Sequence, residues 1–480
     1  MSNAPHKVCP VSSRGYATLY ILVFAAIFIM LIFGLLGVMF TQNKVIIAKE
    51  NKSKALQISE AGLEYYRWLL AHFSDELQDR TGGPGPYEHE YSDPEGGAIG
   101  KFSLEISGNQ KCNILTSIDI NSTGWTYAKP EYTKETYGRY ARPSVANYAY
   151  ILNSNVWAGS DRVIKGRYHS NGGIRMDGEN QSLVTSAVSN WWCTSSFGCS
   201  PSQTQDGVFG GGSGSVLWSF PVEPVDFVGI TQDLLDMKTQ AQTGGGVYFQ
   251  PAGGQSNRRG YHAIFKSDGT FDMYKVTNTT RVWGYDSSVG WKREYNIIAS
   301  ETPIGNYDIP ASCSLIFVED KLWIEGVVKG KVTIAAAKVS QPNFDADIIL
   351  SGDIMYTTAD GSDGLTAVAE NSVLIPLNSP DDMEIRGILV AQKGHFGRNH
   401  YDEDYLPSSL DPYVRRNSLN MIGSIVSNGR VGTKWSCGGN YCSGYASRQN
   451  SYDRKLATDP PPLTPFVDDE YEFIEWREEK

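Results

Sequence analysis

One uncharged stretch, residues 16–40, limits what this chain can fold into more than any other feature. It reads YATLYILVFAAIFIMLIFGLLGVMF, without a charged side chain. As a helix it would be about 38 Å long, enough to cross the ~30 Å hydrocarbon core of a bilayer. It is too long for the apolar part of a cleaved signal peptide, and no small-residue cleavage site follows it. We therefore predict one transmembrane helix over residues 16–40.

The helix is expected to continue beyond the membrane. Residues 41–73 contain no proline and a single glycine, Gly62, and their apolar side chains recur at mostly helical spacing. Gly82, Gly83 and Pro84 follow a short polar segment and favour a stop near residues 74–80. The pattern predicts one helix of about 55–60 residues, with an apolar first half and an amphipathic second half.

Charge and cysteine placement give opposite orientations for this helix. Two basic residues precede the span and four follow it: Lys7 and Arg14, then Lys44, Lys49, Lys52 and Lys54. The positive-inside rule would place the following residues in the cytoplasm. Six of the seven cysteines, however, follow the span, which favours an oxidising exterior on that side. We give the cysteines more weight and expect a cytoplasmic N-terminus.

The six cysteines after the span suggest a disulfide framework. Cys193 and Cys199 enclose a short loop that contains a glycine, as do Cys437 and Cys442, and Cys112 and Cys313 remain. The simplest pairing is therefore Cys193–Cys199, Cys437–Cys442 and Cys112–Cys313, although other connectivities are open. A zinc site is the alternative, but neither close pair has CxxC spacing.

The N-terminal region resembles PilX-type minor pilins and related type IV pilin-like proteins. The resemblance covers about residues 12–73. It rests on the basic residue and glycine before the apolar run, the long helical continuation and the tract SEAGLEY: Arg14, Gly15, Ser59, Glu60, Ala61, Gly62, Leu63, Glu64 and Tyr65.

The resemblance implies a leader, residues 1–15, that prepilin peptidase would remove between Gly15 and Tyr16. It also implies an N-terminus in the cytoplasmic membrane, a head outside it, and helix contacts with membrane lipid and with other pilin-like subunits. This chain departs from major pilins at Tyr20, where they commonly carry a glutamate. The alternative is a plain signal anchor that never leaves the membrane.

The remainder of the chain is expected to be mainly β. Forty-nine glycines and 27 tyrosines suit short strands joined by tight turns. A phrase with a central glycine recurs around Gly166, Gly326, Gly387 and Gly423 and alternates apolar and polar side chains. Short strands with Gly and Asn corners favour a parallel β-solenoid in which asparagines stack between rungs. An antiparallel β-sandwich is the alternative. The segment HSNG, residues 169–172, also resembles the heads of large PilX-type proteins.

The predicted organisation after the leader has five parts. They are the N-terminal helix over 16–80, a pilin-type β head over 81–160, a β-solenoid over 161–189 and 313–433, an inserted α+β module over 190–312, and a tail with an edge strand over 434–480. Within the insertion we predict a helix over 224–240 and a hairpin turn at Ser267-Asp268-Gly269.

No catalytic, cofactor or metal site is predicted. The sequence lacks the HExxH, GxSxG and Walker patterns, and the acidic loops at residues 360–364 and 400–404 do not have EF-hand spacing. The net charge of −11 argues against an extended nucleic-acid-binding surface. We expect a non-enzymatic subunit of a type IV pilus or related surface filament. The alternatives are a membrane-anchored adhesin whose surface ligand the sequence does not name and, less favoured, a glycan-acting enzyme.

Overall fold

The computed structural model describes residues 14–74, 76–93, 95–228, 234–253, 258–340, 345–468 and 470–479. The chain divides into two compact units. The first comprises residues 1–107, 120–138 and 476–480, and the second comprises residues 108–119 and 139–475.

One long helix, α1 (Arg14–His72), opens the described chain. It spans 59 residues without interruption, which confirms the predicted length. Five strands form the first sheet, in the order of the ranges that follow: β1 (Tyr87–Asp93), β2 (Gly97–Lys111), β3 (Ile114–Thr126), β4 (Lys129–Ala141) and the C-terminal strand Glu472–Glu478. The first two strands pair antiparallel. The C-terminal strand lies at an edge of this sheet, as predicted, and its charged residues suit that position.

The strands of the second unit begin with β5 (Tyr148–Leu152), β6 (Val156–Ala158), β7 (Arg162–Lys165), β8 (Arg167–Ser170), β9 (Ile174–Met176), β10 (Glu179–Asn180), β11 (Val184–Ser186), β12 (Asn190–Cys193), β13 (Gln203–Asp206), β14 (Val208–Phe209) and β15 (Trp218–Ser219). A short helix, α2 (Leu234–Thr243), follows. The next strands are β16 (Val247–Phe249), β17 (Gly260–Phe265), β18 (Thr270–Asp286), β19 (Gly290–Asp308), β20 (Leu315–Val318), β21 (Leu322–Val328), β22 (Lys331–Ala336), β23 (Ile348–Tyr356), β24 (Gly364–Ala369) and β25 (Val373–Leu374). The last are β26 (Asp382–Ala391), β27 (Phe396–Gly397), β28 (Arg415–Ser427), β29 (Lys434–Cys437) and β30 (Asn440–Ser451), followed by α3 (Arg454–Thr458) and the C-terminal strand, β31.

Most of these strands belong to one large mixed sheet. A parallel series runs β20, β22, β24, β26, β28, β5, β8, β11 and β15. Other pairs are antiparallel, most extensively the long hairpin of β18 and β19. The head is therefore β-rich, as predicted, and its mixed sheet combines parallel stacking with hairpins.

The repeated phrase marks a backbone bend, which lies inside β21, β26 and β28 and between the short strands β7 and β8. Gly387 in β26 lies opposite Gly423 in β28, and both have positive φ, as do Gly166 and Gly326. A Cβ on Gly423 would lie 2.0 Å from the Gly387 carbonyl oxygen, so no larger residue fits there. The apolar residues on either side of each bend are buried, among them Ile385, Leu389 and Ile425.

Asparagines stack along one row, as the sequence predicted. The Asn171 side-chain amide donates to Asn153 Oδ1 (2.9 Å), and the Asn153 amide donates to Asn428 Oδ1 (2.8 Å). The Asn428 amide donates to the Lys393 carbonyl (3.0 Å). Such a ladder satisfies polar groups where successive strands turn.

The insertion partly departs from prediction. The predicted helix over 224–240 is wrong at residues 224–228, which are not helical; residues 229–233 lie outside the described residues. The Val225 N–H and carbonyl both bond to the Asn171 side chain (2.9 and 2.8 Å), which replaces helical bonding. The turn at Ser267-Asp268-Gly269 is confirmed, between β17 and β18. After this turn the chain forms one long strand, β18, whose pairing with β19 has register shifts.

Candidate functional site

The first half of α1 is an apolar surface that no other described residue of the chain covers. From Tyr16 to Phe40 the large hydrophobic side chains are exposed, Phe24 by 70% and Met30 by 73%. Among the described helices, α1 is the one long and apolar enough to span a membrane. Exposed apolar area of this extent requires lipid or another apolar surface in place of water.

The predicted cleavage point lies at the start of this helix. Gly15 and Tyr16 are both helical residues of α1, and Tyr16 is exposed. Residues 1–13, most of the predicted leader, lie outside the described residues. Cleavage between Gly15 and Tyr16 stays a prediction.

The second half of α1 packs on the first sheet through one stripe of side chains. The buried residues recur every three or four positions, which is the spacing of one helix face: Ala55, Ile58, Ser59, Gly62, Leu63, Tyr66, Leu69 and Leu70. Each fully buried Leu or Ile contributes roughly 1.5–3 kcal/mol of transfer free energy. The SEAGLEY tract therefore supplies much of the face by which the helix is fixed to the head.

Glycines allow this helix to approach the sheet closely. A Cβ on Gly62 would lie 2.3 Å from Ser122 Oγ and 2.9 Å from Phe102 Cδ2. On the sheet side, a Cβ on Gly124 would lie 2.3 Å from the Ala55 carbonyl oxygen. A side chain at either position would push helix and sheet apart, which accounts physically for the glycine in SEAGLEY.

A buried carboxylate fixes the loop after the helix. Asp79 accepts hydrogen bonds from the Tyr65 hydroxyl (3.1 Å) and His89 Nε2 (2.6 Å). Burial, followed by the negative charge of Asp79, raises the pKa of Tyr65 to about 12. Sequence reasoning missed this cluster, because the three residues lie on different elements and have no motif spacing.

The structure contains three disulfides in the second unit: Cys112–Cys313, Cys193–Cys199 and Cys437–Cys442. These are the pairs that the cysteine spacing favoured. The first one links residues 201 positions apart, and both of its cysteines are buried in an apolar cluster.

His400 lies beside the last disulfide, where the ligand-type atoms of His400, Cys437 and Cys442 fall within 4.8 Å of one another. Both sulfurs are joined in the disulfide, so neither is a thiolate available to a metal.

The acidic loop at residues 360–364 has its carboxylates occupied by hydrogen bonds from within the loop and from nearby backbone. Asp360 accepts from the Ser362 N–H and hydroxyl, and Asp363 accepts from the Gly330 and Thr358 N–H groups. These hydrogen bonds lower the pKa of both carboxyls. For Asp363, burial is the largest single influence and raises the pKa, but the hydrogen bonds together outweigh it. Both carboxylates therefore act as turn-forming acceptors in this structure.

Comparison with known proteins gives little beyond this geometry. No family model matches the sequence, and no curated protein matches it. Among solved structures, the chain is similar to the crystal structure of the competence-associated pilin ComZ from Thermus thermophilus. The TM-score is 0.33 at 11% identity, covering 89% of this chain and 97% of that one. A likeness at this level does not bear on function, which is therefore argued from the residues of this chain.

Proposed function

We propose that this protein is a non-enzymatic, pilin-like subunit whose N-terminal helix anchors it in a membrane and then joins a filament. One observation carries the proposal: α1 is a single helix with two differently covered halves. Its second half is buried on the head's own sheet, whereas its first half is apolar and exposed all round. A surface of this kind can be covered by lipid, and equally by the apolar helices of other copies.

The finer assignment rests on the N-terminal residues. The sequence Arg14-Gly15-Tyr16 and the SEAGLEY tract support a PilX-type minor pilin or tip component, cut after Gly15 by prepilin peptidase. The proposed orientation places the N-terminus in the cytoplasm and the disulfide-bonded head outside, where disulfides persist. Tyr20, in place of a glutamate, favours a minor position over the main shaft.

We also propose that the parallel series in the head is the wall of a β-solenoid. The in-register pairing of Gly387 with Gly423 and the asparagine row at Asn153, Asn171 and Asn428 support it. In such a solenoid each strand stacks on its neighbours, and the connecting loops are the natural places for ligand contacts.

The decisive experiment is mass spectrometry of the protein's N-terminus after expression in cells that contain a prepilin peptidase. We expect Tyr16 as the first residue. A Gly15→Leu variant should keep Met1 or its processed form, whereas the control Gly37→Ala, where the added methyl meets open space, should be cut normally. An uncut wild-type N-terminus would contradict the pilin assignment.

Shearing separates a filament subunit from a fixed anchor. A filament subunit should appear in the sheared surface fraction, and Gly15→Leu should remain with washed membranes. Retention of the cleaved wild type in washed membranes would support the membrane-anchored adhesin instead.

A further inference from the structure

A cleft of about 620 Å³ opens in the second unit, among residues that are far apart in sequence. Its walls include Trp157, Asp177, Ser196, Arg430 and Trp435. The volume lies in the range of about 300–1,000 Å³ that is usual for small-ligand sites. Neither the membrane helix nor the disulfides account for this cleft.

The cleft is cationic in an acidic protein. Four cationic side chains and two carboxylates line it: Arg398, Arg430, Lys434 and Arg448, with Asp161 and Asp177. The whole chain has a net charge of −11. A positive lining in a protein of this net charge makes the cleft a local site of attraction for an anion.

Both carboxylates are already neutralised by neighbours. Asp161 pairs with Arg448 (2.9 Å) and Lys434 (3.3 Å). Burial raises the pKa of Asp161, but the two cations outweigh burial and the pKa is lowered overall. Asp177 pairs with Arg175 at 2.8 Å. Asp161 offsets only one of the two positive charges of Arg448 and Lys434. The rest of the surplus positive charge lies on Arg398 and Arg430.

Arg398 and Arg430 differ in how many of their N–H groups are already hydrogen-bonded. Arg398 is fully buried and donates to three backbone carbonyls, so it supports the wall. Arg430 is half-buried, donates to the Ser196 carbonyl (2.8 Å) and lies 4.4 Å from the Phe197 ring centroid. Among the described residues it has no carboxylate partner, and most of its five N–H donors are unused. Burial lowers its pKa, which is the cost of leaving this cation without a counter-ion.

Aromatic rings also line the cleft, and the indole N–H groups of both tryptophans are already hydrogen-bonded. Trp157 Nε1 donates to Asp177 (2.8 Å) and Trp435 Nε1 donates to the Arg398 carbonyl (2.8 Å). Tyr285 packs edge-on against Trp435, with ring centroids 5.8 Å apart. Because these bonds fix the rings, they offer a ligand rigid carbon surface at little entropic cost.

Small polar groups complete the lining. Five exposed serines border the cleft: Ser160, Ser195, Ser196, Ser287 and Ser436. Their hydroxyls can donate to and accept from hydroxyl groups of a ligand.

We propose that this cleft binds an acidic oligosaccharide, with Arg430 pairing with the carboxylate of one sugar and Trp157 and Trp435 contacting the sugar ring faces. Each part of the lining matches one part of that ligand. A guanidinium fork matches a carboxylate, fixed rings match the C–H faces of a pyranose, and serines match its hydroxyls. A neutral sugar would leave Arg430 unpaired, and a simple inorganic anion would leave the rings unused. The proposal is independent of filament assembly.

The test is calorimetric titration of the full-length protein in detergent with trigalacturonic acid as the probe. The fully methyl-esterified trimer is the matched neutral ligand. We expect the acidic trimer to bind, with affinity falling as salt rises. The esterified trimer should bind about 10- to 100-fold more weakly, since a charge-assisted hydrogen bond is lost. Equal binding of the two trimers, or binding of neither, would overturn the proposal.

Variants locate the binding. Arg430→Gln should weaken the acidic trimer about 10- to 100-fold and the esterified trimer little, and Trp157→Ala should weaken both about 2- to 10-fold. The controls Trp192→Ala and Lys329→Gln change exposed residues outside the cleft and should bind like wild type. Thermal unfolding of each variant shows whether it is folded. Arg430→Lys, which retains the charge, should recover part of the affinity.

Undiminished binding by folded Arg430→Gln would overturn the proposal. So would tighter, Arg430-dependent binding of an oligothymidylate, which would assign the cleft to nucleic acid.

Discussion

Gly62 of α1 lies so close to Ser122 of β3 that a Cβ at Gly62 would stand 2.3 Å from the serine Oγ. Phe102 and Leu104 crowd the same point at 2.9 and 3.1 Å. The helix and the sheet are therefore so close at Gly62 that its Cα can carry a hydrogen atom but no side chain.

Gly62→Ala should loosen that contact. Alanine gains up to about 1 kcal/mol in helix propensity over glycine, but the methyl group overpacks a buried contact, which costs roughly 1–3 kcal/mol. We expect a net destabilisation of the first unit, seen as a lower unfolding midpoint of full-length protein in detergent.

Gly37→Ala is the matched control, because nothing lies within 4 Å of its added methyl group. It should be neutral or slightly stabilising. Equal midpoints for the two variants would show that the close approach at Gly62 has no energetic weight.

Gly423→Ala should be more damaging than either of these. Gly423 combines a φ of +140° with the Gly387 carbonyl 2.0 Å from the Cβ position. Gly330→Ala measures the cost of the positive φ alone, since Gly330 has a φ of +77° and open space around it. We expect about 1–2 kcal/mol for Gly330→Ala and about 3 kcal/mol or more for Gly423→Ala, measured by denaturant unfolding. A Gly423→Ala protein as stable as Gly330→Ala would contradict the stacking described for β26 and β28.

Much of the fold could be predicted from local patterns in the sequence. The uncharged run and its amphipathic continuation predicted α1 to within a few residues, because each half follows from side-chain periodicity alone. The glycine of the repeated phrase was visible because a backbone bend that admits only glycine leaves the same residue at each copy.

Long-range pairing was not visible in the same way. Ile425 lies opposite Tyr150, and β16 and β17, which we predicted in a separate insertion, pair with β20 and β21 of the large sheet. Such pairings depend on stacking between distant segments, for which a single sequence has no local signal. The cleft was not predicted for the same reason, because Trp157 and Arg430 come to line one cleft only in the folded chain.

The Cys112–Cys313 disulfide should stabilise the second unit more than either short-loop disulfide. It closes a loop of 201 residues, against 6 for Cys193–Cys199. Loop-closure entropy alone gives about 5 and about 2 kcal/mol for loops of these sizes. We expect the double variant Cys112→Ser/Cys313→Ser to lower the denaturation midpoint clearly more than Cys193→Ser/Cys199→Ser, in denaturant titrations under non-reducing conditions. The reverse order would mean that native contacts, not chain entropy, dominate the difference.

His262 should make the stability of the head depend on pH. The ring lies 3.0 Å from Glu301 and 3.5 Å from Glu325. Burial disfavours the charged ring, but the hydrogen bonds that the ring donates to Glu325 and Glu301 outweigh burial and raise the pKa of His262 above its usual 6.5. Its bond to His262 lowers the pKa of Glu325 below 4.5, against burial.

The signs of these two shifts define a window. A raised histidine pKa stabilises the fold fully below pH 6.5, and the effect is lost as pH rises through the folded-state value. A lowered glutamate pKa stabilises the fold above pH 4.5, and the effect is lost as pH falls through the folded-state value. We therefore expect His262→Gln to cost on the order of 1 kcal/mol between these limits and less at pH 8 to 9, in thermal unfolding across pH. Glu325→Gln should show a cost at pH 6 that is not additive with the cost of His262→Gln, because the two side chains form one ion pair. A cost of His262→Gln that stays constant from pH 5 to 9 would mean that the ring contributes packing and no charge.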